Sequence, residues 1–122
     1  MSGSKYRNIR INGSASKKEA KRKLVLEQME KDGKITDLKC QVPFELIPMQ
    51  REPDTIGPRG GVKKGKVKER AAYYYADFTY YNDKGEYVVE DTKGYRGGEA
   101  YSYYVLKRKL MLWRHGIQIK EI

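Results

Sequence analysis

The chain has 122 residues, close to the usual size of one domain, and its hydrophobic content of 39% allows a small packed core. With 26 Lys and Arg against 16 Asp and Glu, the formal charge is +10, which favours an anionic partner and indicates nucleic acid. No stretch reaches the roughly 18 apolar residues of a membrane span, the N-terminus lacks a secretory signal, and the single cysteine excludes an intrachain disulfide and a cysteine zinc cluster. We therefore expect a cytoplasmic protein without a membrane partner; the alternative to nucleic-acid binding is a merely soluble, basic protein.

The first predicted elements are an arm and a helix. Residues 1–15 are polar and predict a flexible N-terminal arm, and residues 16–122 are expected to form one domain. Ser16 and Glu19 have capping-box spacing, which predicts a helix that begins at Ser16, continues through Lys31 and ends at Gly33. The broad apolar side of this helix is predicted to consist of Ala20, Leu24, Val25 and Met29.

A strand and a long basic segment follow. Apolar alternation from Ile35 to Ile47 predicts a strand, and Pro43 makes it an edge or bulged strand. Its apolar face is predicted to contain Leu38, Cys40, Val42, Phe44 and Leu46. Residues of about 50–69 are rich in Gly, Pro, Lys and Arg without a period, which predicts a mobile basic loop that contacts phosphates; a solvated insertion is the alternative.

The C-terminal half predicts a hairpin, a helix and a short strand. Residues 71–81 and 86–93 are the two strands of the hairpin, and the turn lies between them. Residues 101–115 predict a helix that ends at Gly116, with Trp113 in the core, and the isoleucines after it predict a last strand. The predicted order is helix, strand, strand, strand, helix, strand.

The predicted hairpin places two aspartates opposite each other. Counting back from a three-residue turn at 83–85, Thr79 faces Val89 and Asp77 faces Asp91. Directly opposed like charges destabilise a sheet unless one is protonated or a cation lies between them. Mg²⁺, which takes one or two carboxylates together with waters and substrate phosphates, suits such a pair.

A lysine is predicted beside this pair. Lys93 lies two residues after Asp91 and therefore points to the same face of the strand. An amine there can orient or deprotonate an attacking water and stabilise charge on a phosphate. The alternative is an edge-strand charge at Asp77 and an ordinary surface ion pair of Asp91 with Lys93. We favour the site because Asp77 lies between Ala76 and Phe78, where a charge needs a reason.

At these residues the sequence resembles the PD-(D/E)xK nuclease superfamily. The signature is Asp77 followed by Glu90-Asp91-Thr92-Lys93-Gly94, with Ala76 where the superfamily has a proline before the aspartate. The chain is also similar, from about residue 5 to its end, to a family of small phage-encoded proteins described as a domain of unknown function. The resemblance implies an α/β fold with a restriction-endonuclease-like core, in the order α-β-β-β-α-β, and a mixed sheet flanked by helices.

The resemblance also implies an activity, namely magnesium-dependent hydrolysis of DNA phosphodiester bonds, with Mn²⁺ able to substitute. Asp77 and Asp91 then bind the metal with the backbone carbonyl of Thr92, and Lys93 acts on the water. Glu19 is implied as a further catalytic acid and metal ligand, although a capping-box role is its alternative. Analogy with small resolvases implies a homodimer that cuts branched DNA in phage DNA metabolism, in the host cytoplasm.

Basic and aromatic side chains are predicted to contact the DNA. Tyr73, Tyr74 and Tyr75 either stack on bases or pack across strands. Two competing functions remain open: a non-catalytic basic nucleic-acid-binding protein, and an interaction protein that retains the fold without activity. The predicted phosphate contacts are Lys17, Lys18, Arg59, Lys63, Lys64, Lys66, Lys68 and Lys107.

Overall fold

In the computed structural model, which describes residues 14–93 and 96–122, two helices accompany a mixed four-stranded sheet. The sheet has the order β1-β6-β7-β8; β1, β6 and β7 pair antiparallel, and β8 is parallel to β7. The α/β class and the mixed sheet are thereby confirmed. The elements are α1 (Ser14–Lys31), β1 (Thr36–Ile47), β2 (Gln50–Arg51), β3 (Thr55–Ile56), β4 (Val62–Lys63), β5 (Val67–Glu69), β6 (Ala72–Tyr81), β7 (Tyr87–Asp91), α2 (Gly98–His115) and β8 (Lys120–Glu121).

The two helices pack on opposite faces of the sheet. Val88 contacts the cluster that contains Leu26 of α1, whereas its neighbour Val89 belongs to the cluster that contains Met111 of α2. Successive residues of a strand point to opposite faces, so each helix covers one face. Most of the hydrophobic core therefore lies in two layers, above and below β6 and β7.

Helix α1 begins and faces the sheet differently from the prediction. It already includes Ser14, the first described residue, so Ser16 lies within the helix and not at its cap, and the predicted capping box is wrong. Leu24 and Val25 are exposed, and Leu26 is buried. The side facing the sheet instead carries residues 19, 22, 26 and 29, spaced by three or four as one helical stripe requires.

The apolar residues of β1 do not share one face, which corrects a second prediction. Leu38 packs on the α1 side, whereas Phe44 and Leu46 pack on the α2 side. The backbone explains the change, because Gln41 has a φ of 52°, a left-handed value that interrupts the alternation of a strand. β1 is nevertheless an edge strand, as Pro43 predicted.

Strand β6 changes faces at the same level. Ala76 belongs to the α2-side cluster and Phe78 to the α1-side cluster, although residues two apart in a regular strand share a face. Gln41 and Asp77 are the residues between the paired positions Cys40↔Phe78 and Val42↔Ala76. The interruption therefore falls at Gln41 in β1 and at Asp77 in β6.

Short strand pairs interrupt the basic segment of about 50–69, for which the sequence predicts a loop. β2 pairs with β5 and β3 pairs with β4, both antiparallel, so the segment folds back as a two-part ribbon. Gly65 fits closely in this ribbon, since a Cβ there would lie 1.8 Å from the carbonyl oxygen of Glu52. The mobility of the segment stays a prediction.

The hairpin and the helix ends agree with the sequence. Tyr81 pairs with Tyr87 and Thr79 with Val89, which confirms the predicted register, and Gly85 takes the left-handed turn position with φ 80°. Gly116 ends α2 with φ 68°, although α2 begins at Gly98, three residues before the predicted start.

The predicted arm at 1–15 lies outside the described residues except for 14–15, which belong to α1. Among the described helices, none combines the length and apolarity that crossing a membrane requires.

Candidate active site

Asp77 and Asp91 lie at the end of the paired region of β6 and β7. The last pair of that ladder is Phe78↔Glu90, and the two aspartates are the next residues along their strands. After burial, the causes that raise the pKa of Asp91 most are a hydrogen bond with the Asp77 carboxyl group and the charge of that group, so the two acids adjoin. The structure therefore brings together the two acids that the hairpin register predicts to face each other.

Asp91 is buried, and its surroundings raise the pKa of its carboxyl group. Its residue surface is 7% exposed. Burial, followed by the Asp77 carboxylate, raises the pKa of Asp91 from 3.8 to about 7, against the opposing effects of Lys93 and Tyr74. The Tyr74 hydroxyl donates a 2.9 Å hydrogen bond to Asp91 Oδ2. In the absence of a cation, this pair of acids therefore retains a proton up to near-neutral pH.

Asp77 is held by the residue that follows Asp91. Both the backbone amide and the hydroxyl of Thr92 donate 2.8 Å hydrogen bonds to Asp77 Oδ2. Gln41 Nε2 lies 3.2 Å from Asp77 Oδ1. Three donors, one from Gln41 in β1 and two from Thr92 just after β7, thus orient this carboxylate. Asp77 itself remains partly accessible to solvent. The role of the Thr92 carbonyl as a ligand stays a prediction.

Lys93 adjoins the acids, as its position two residues after Asp91 predicts. Its Nζ lies 3.2 Å from Asp91 Oδ2 and 3.5 Å from the centroid of the Tyr104 ring. An ammonium over an aromatic face is attracted by the negative face of the ring. Tyr104 thereby helps to hold the amine beside the carboxylates, and its own hydroxyl donates to Glu121.

Glu19 reaches the site through Gln41. Gln41 Nε2 lies 3.1 Å from Glu19 Oε2, so one amide bridges Glu19 and Asp77. Burial first and the charge of Asp77 second raise the pKa of Glu19. Sequence reasoning left Gln41 unassigned, and no local signal identifies it, because its position depends on a left-handed backbone in a non-glycine residue.

Glu90 serves a separate purpose on the other face of β7. Its residue is fully buried (0% exposed), and Arg22 Nε and Nη2 donate to its two oxygens at 2.9 and 2.7 Å. The Tyr80 hydroxyl donates to the same carboxylate. Adjacent acids in one strand thus point in opposite directions, as period-two geometry requires.

A cleft of about 240 Å³ opens beside Asp91 and Lys93. One wall comes from Tyr74 and Tyr75 of β6, and the other comes from α2. Of the predicted phosphate-binding residues, Lys107 lines this cleft, whereas Lys18 Nζ donates to the carbonyls of Lys93 and Ile122 at 3.1 and 2.9 Å. Exposed positions on α1 and on the ribbon are taken by Lys17, Arg59, Lys63, Lys64, Lys66 and Lys68.

The acids form a pair rather than a larger cluster. Across residues 14–93 and 96–122, no group of three or more His, Cys, Asp or Glu side chains is arranged to hold a metal ion. Two carboxylates nevertheless meet the usual requirement of Mg²⁺, which completes its coordination with waters and substrate phosphates. Glu19 as a third ligand stays a prediction.

A family model for proteins of unknown function matches residues 3–120, nearly the whole chain. The chain belongs to this family, DUF1064. No curated protein and no solved structure matches it. The family assignment agrees with the resemblance to a domain of unknown function and leaves the activity open.

One further prediction about α2 is wrong. Trp113 was expected in the core, but it is 79% exposed, whereas Met111 is fully buried. Among the tyrosines of the 73–75 run, Tyr74 packs in the core while Tyr73 and Tyr75 are exposed, with their ring centroids 6.3 Å apart. The run therefore divides between packing and surface, as strand alternation dictates.

Proposed function

We propose that this protein is a magnesium-dependent DNA endonuclease of the PD-(D/E)xK type, with Asp77, Asp91 and Lys93 as its catalytic residues. The observation that carries the proposal is the adjoining pair of carboxylates at the end of the β6–β7 ladder, with an amine 3.2 Å from Asp91; burial and the neighbouring Asp77 raise the pKa of Asp91 to about 7. Acids with perturbed pKa values of this kind cluster at functional sites. The order of the six core elements supports a restriction-endonuclease-like core.

The residues present fit a divalent cation. Asp77 and Asp91 would hold it, because carboxylate oxygens are hard ligands and a divalent cation such as Mg²⁺ or Mn²⁺ would relieve the repulsion between them. When bound, the metal would polarise the phosphate and favour deprotonation of the attacking water. The Thr92 carbonyl and Glu19 are proposed as further ligands.

The side chains around the acids provide orientation and charge. Tyr74 and Thr92 fix the two carboxylates, and Tyr104 fixes the amine of Lys93. From this position the Lys93 ammonium would orient the attacking water and stabilise the negative charge that builds on the phosphate. The proposed reaction therefore uses a preorganised set of side chains rather than a flexible loop.

The decisive assay compares metal-dependent cleavage with binding. We expect branched, single-stranded or linear duplex DNA to be cut with Mg²⁺ or Mn²⁺, and not with EDTA. Asp77→Asn, purified in parallel, should retain salt-sensitive DNA binding and lose cleavage. Cleavage that persists in this variant would overturn the assigned site. Binding without any cleavage by the wild type would favour the alternative function, a non-catalytic nucleic-acid-binding protein.

The basic ribbon is proposed to contact phosphates of the DNA. Lys63 and Lys64 are exposed there. Each phosphate contact that is lost reduces the magnitude of the negative slope of log K against log salt by about 1, so binding becomes less sensitive to salt. Lys63→Ala with Lys64→Ala should therefore weaken binding and reduce that slope by about 2, measured by fluorescence anisotropy at several salt concentrations. Lys84→Ala, in the hairpin turn at the other end of β6, is the matched control. An unchanged slope would exclude the ribbon from the interface.

The homodimer, the phage role and the cytoplasmic location stay predictions. Sedimentation velocity of the purified protein, with and without DNA, would test the dimer. The interaction-protein alternative predicts neither metal-dependent cleavage nor a response of the protein to Mg²⁺.

A further inference from the structure

The cleft beside the catalytic pair has two exposed aromatic rings at its edges. Tyr75 is 56% exposed and Tyr103 is 66% exposed, and both line the cleft with Asp91 and Lys93. The neighbouring Tyr104 is different, since it is buried and its hydroxyl bonds Glu121. Tyr104 therefore has a packing role, whereas Tyr75 and Tyr103 keep most of their surface open to solvent at the cleft.

Helix α2 supplies one wall of the cleft with a regular series of side chains. Ala100, Tyr103 and Lys107 are spaced by three and four residues, so they lie along one side of the helix. Ala100 leaves space, Tyr103 supplies an aromatic face, and Lys107 supplies a positive charge at the C-terminal end of this series. This combination suits a flat aromatic group that is attached to an anion.

The volume of the cleft limits what it can hold. Pockets for drug-sized ligands are roughly 300–1,000 Å³, and this cleft is about 240 Å³, so a single base fits it better than a larger ligand. In a continuous duplex both faces of every base are covered by its neighbours. A base can therefore lie against protein rings only when it has left the stack.

We propose that the cleft takes an unpaired nucleobase of the DNA strand to be cut, stacked on Tyr75 and Tyr103, with Lys107 on a flanking phosphate. The inference rests on the proposed function, because Asp91 and Lys93 form part of the same cleft and would act on the adjoining phosphodiester. It names the substrate class as DNA with unpaired nucleotides, such as single strands, flaps and branches. Net positive charge alone would favour duplex, which has the higher charge density.

Binding in EDTA tests this inference separately from catalysis. A single-stranded oligonucleotide with 2-aminopurine at successive positions is compared with a blunt duplex of equal length. We expect tighter binding of the single strand and quenching of 2-aminopurine by stacking. Tyr75→Ala and Tyr103→Ala should each weaken single-strand binding by roughly tenfold and leave duplex binding unchanged. Tyr75→Phe, which keeps the ring, should restore the preference.

Tyr81→Ala is the matched control, because Tyr81 is an exposed ring at the other end of β6, where it packs against Tyr87. Equal affinity for duplex and single strand, or a preference that survives loss of Tyr75 and of Tyr103, would overturn the inference. Such a result leaves metal-dependent cleavage standing. Conversely, an intact preference without metal-dependent cleavage supports base stacking and overturns the nuclease proposal.

Discussion

Replacing Asp91 with asparagine should lower the rate of DNA cleavage by about 1,000-fold or more. Asparagine has nearly the same shape and can still accept the hydrogen bond from Tyr74, but it loses the negative charge that would hold a divalent cation. A 1,000-fold loss corresponds to about 4 kcal/mol of transition-state stabilisation. Single-turnover cleavage with saturating Mg²⁺ measures it, and Asp83→Asn, an exposed aspartate in the hairpin turn, is the control.

The same substitution should stabilise the metal-free protein at alkaline pH. The pKa of Asp91 is raised from 3.8 to about 7 by burial and by Asp77, so the folded protein binds this proton more tightly than the unfolded chain does. The stability of the wild type therefore falls as pH rises between about 4 and 7. Asparagine does not titrate. Between pH 5 and 8 in EDTA, the stability of Asp91→Asn relative to wild type should rise by about 2 kcal/mol.

Magnesium should reverse this difference in stability. At pH 8 it should raise the Tm of the wild type and leave that of Asp91→Asn unchanged, because only the wild type presents both carboxylates. Thermal unfolding at pH 5 and 8, with EDTA or Mg²⁺, provides the four conditions needed. A variant that is less stable than the wild type at pH 8 in EDTA would indicate that Asp91 serves the fold through its ion pair with Lys93.

The second large effect concerns stability alone. Arg22→Met should lower the free energy of unfolding by about 3–5 kcal/mol, because it leaves the buried Glu90 carboxylate without its charged partner. Urea unfolding at pH 7 in EDTA measures the loss. Lys21→Met, at an exposed position of the same helix, is the control and should change stability by less than about 0.5 kcal/mol.

A double variant separates charge from packing at this position. Adding Glu90→Gln to Arg22→Met should recover most of the loss, since glutamine is neutral and can still accept the hydrogen bond from Tyr80. A loss below about 1 kcal/mol in the single variant, or no recovery in the double variant, would contradict this account. Neither substitution touches Asp77 or Asp91, so cleavage by the folded fraction should persist.

The sequence by itself determined the elements whose signals are local. Gly33 and Gly116 mark the two helix ends, and the three-residue turn before Glu86 sets the register that makes Asp77 and Asp91 neighbours. These signals are strong because turn geometry and period-two alternation act over a few residues. They sufficed to predict the acid pair and its lysine.

Only the tertiary structure decided how that pair is surrounded. Period-two reasoning assigns one face to all of β1, but the left-handed backbone at Gln41 breaks the face and turns an amide toward both Glu19 and Asp77. The pairings within the basic ribbon and the two walls of the cleft beside Asp91 and Lys93 likewise join residues distant in sequence. Such contacts depend on how separate elements pack, which local propensity does not encode.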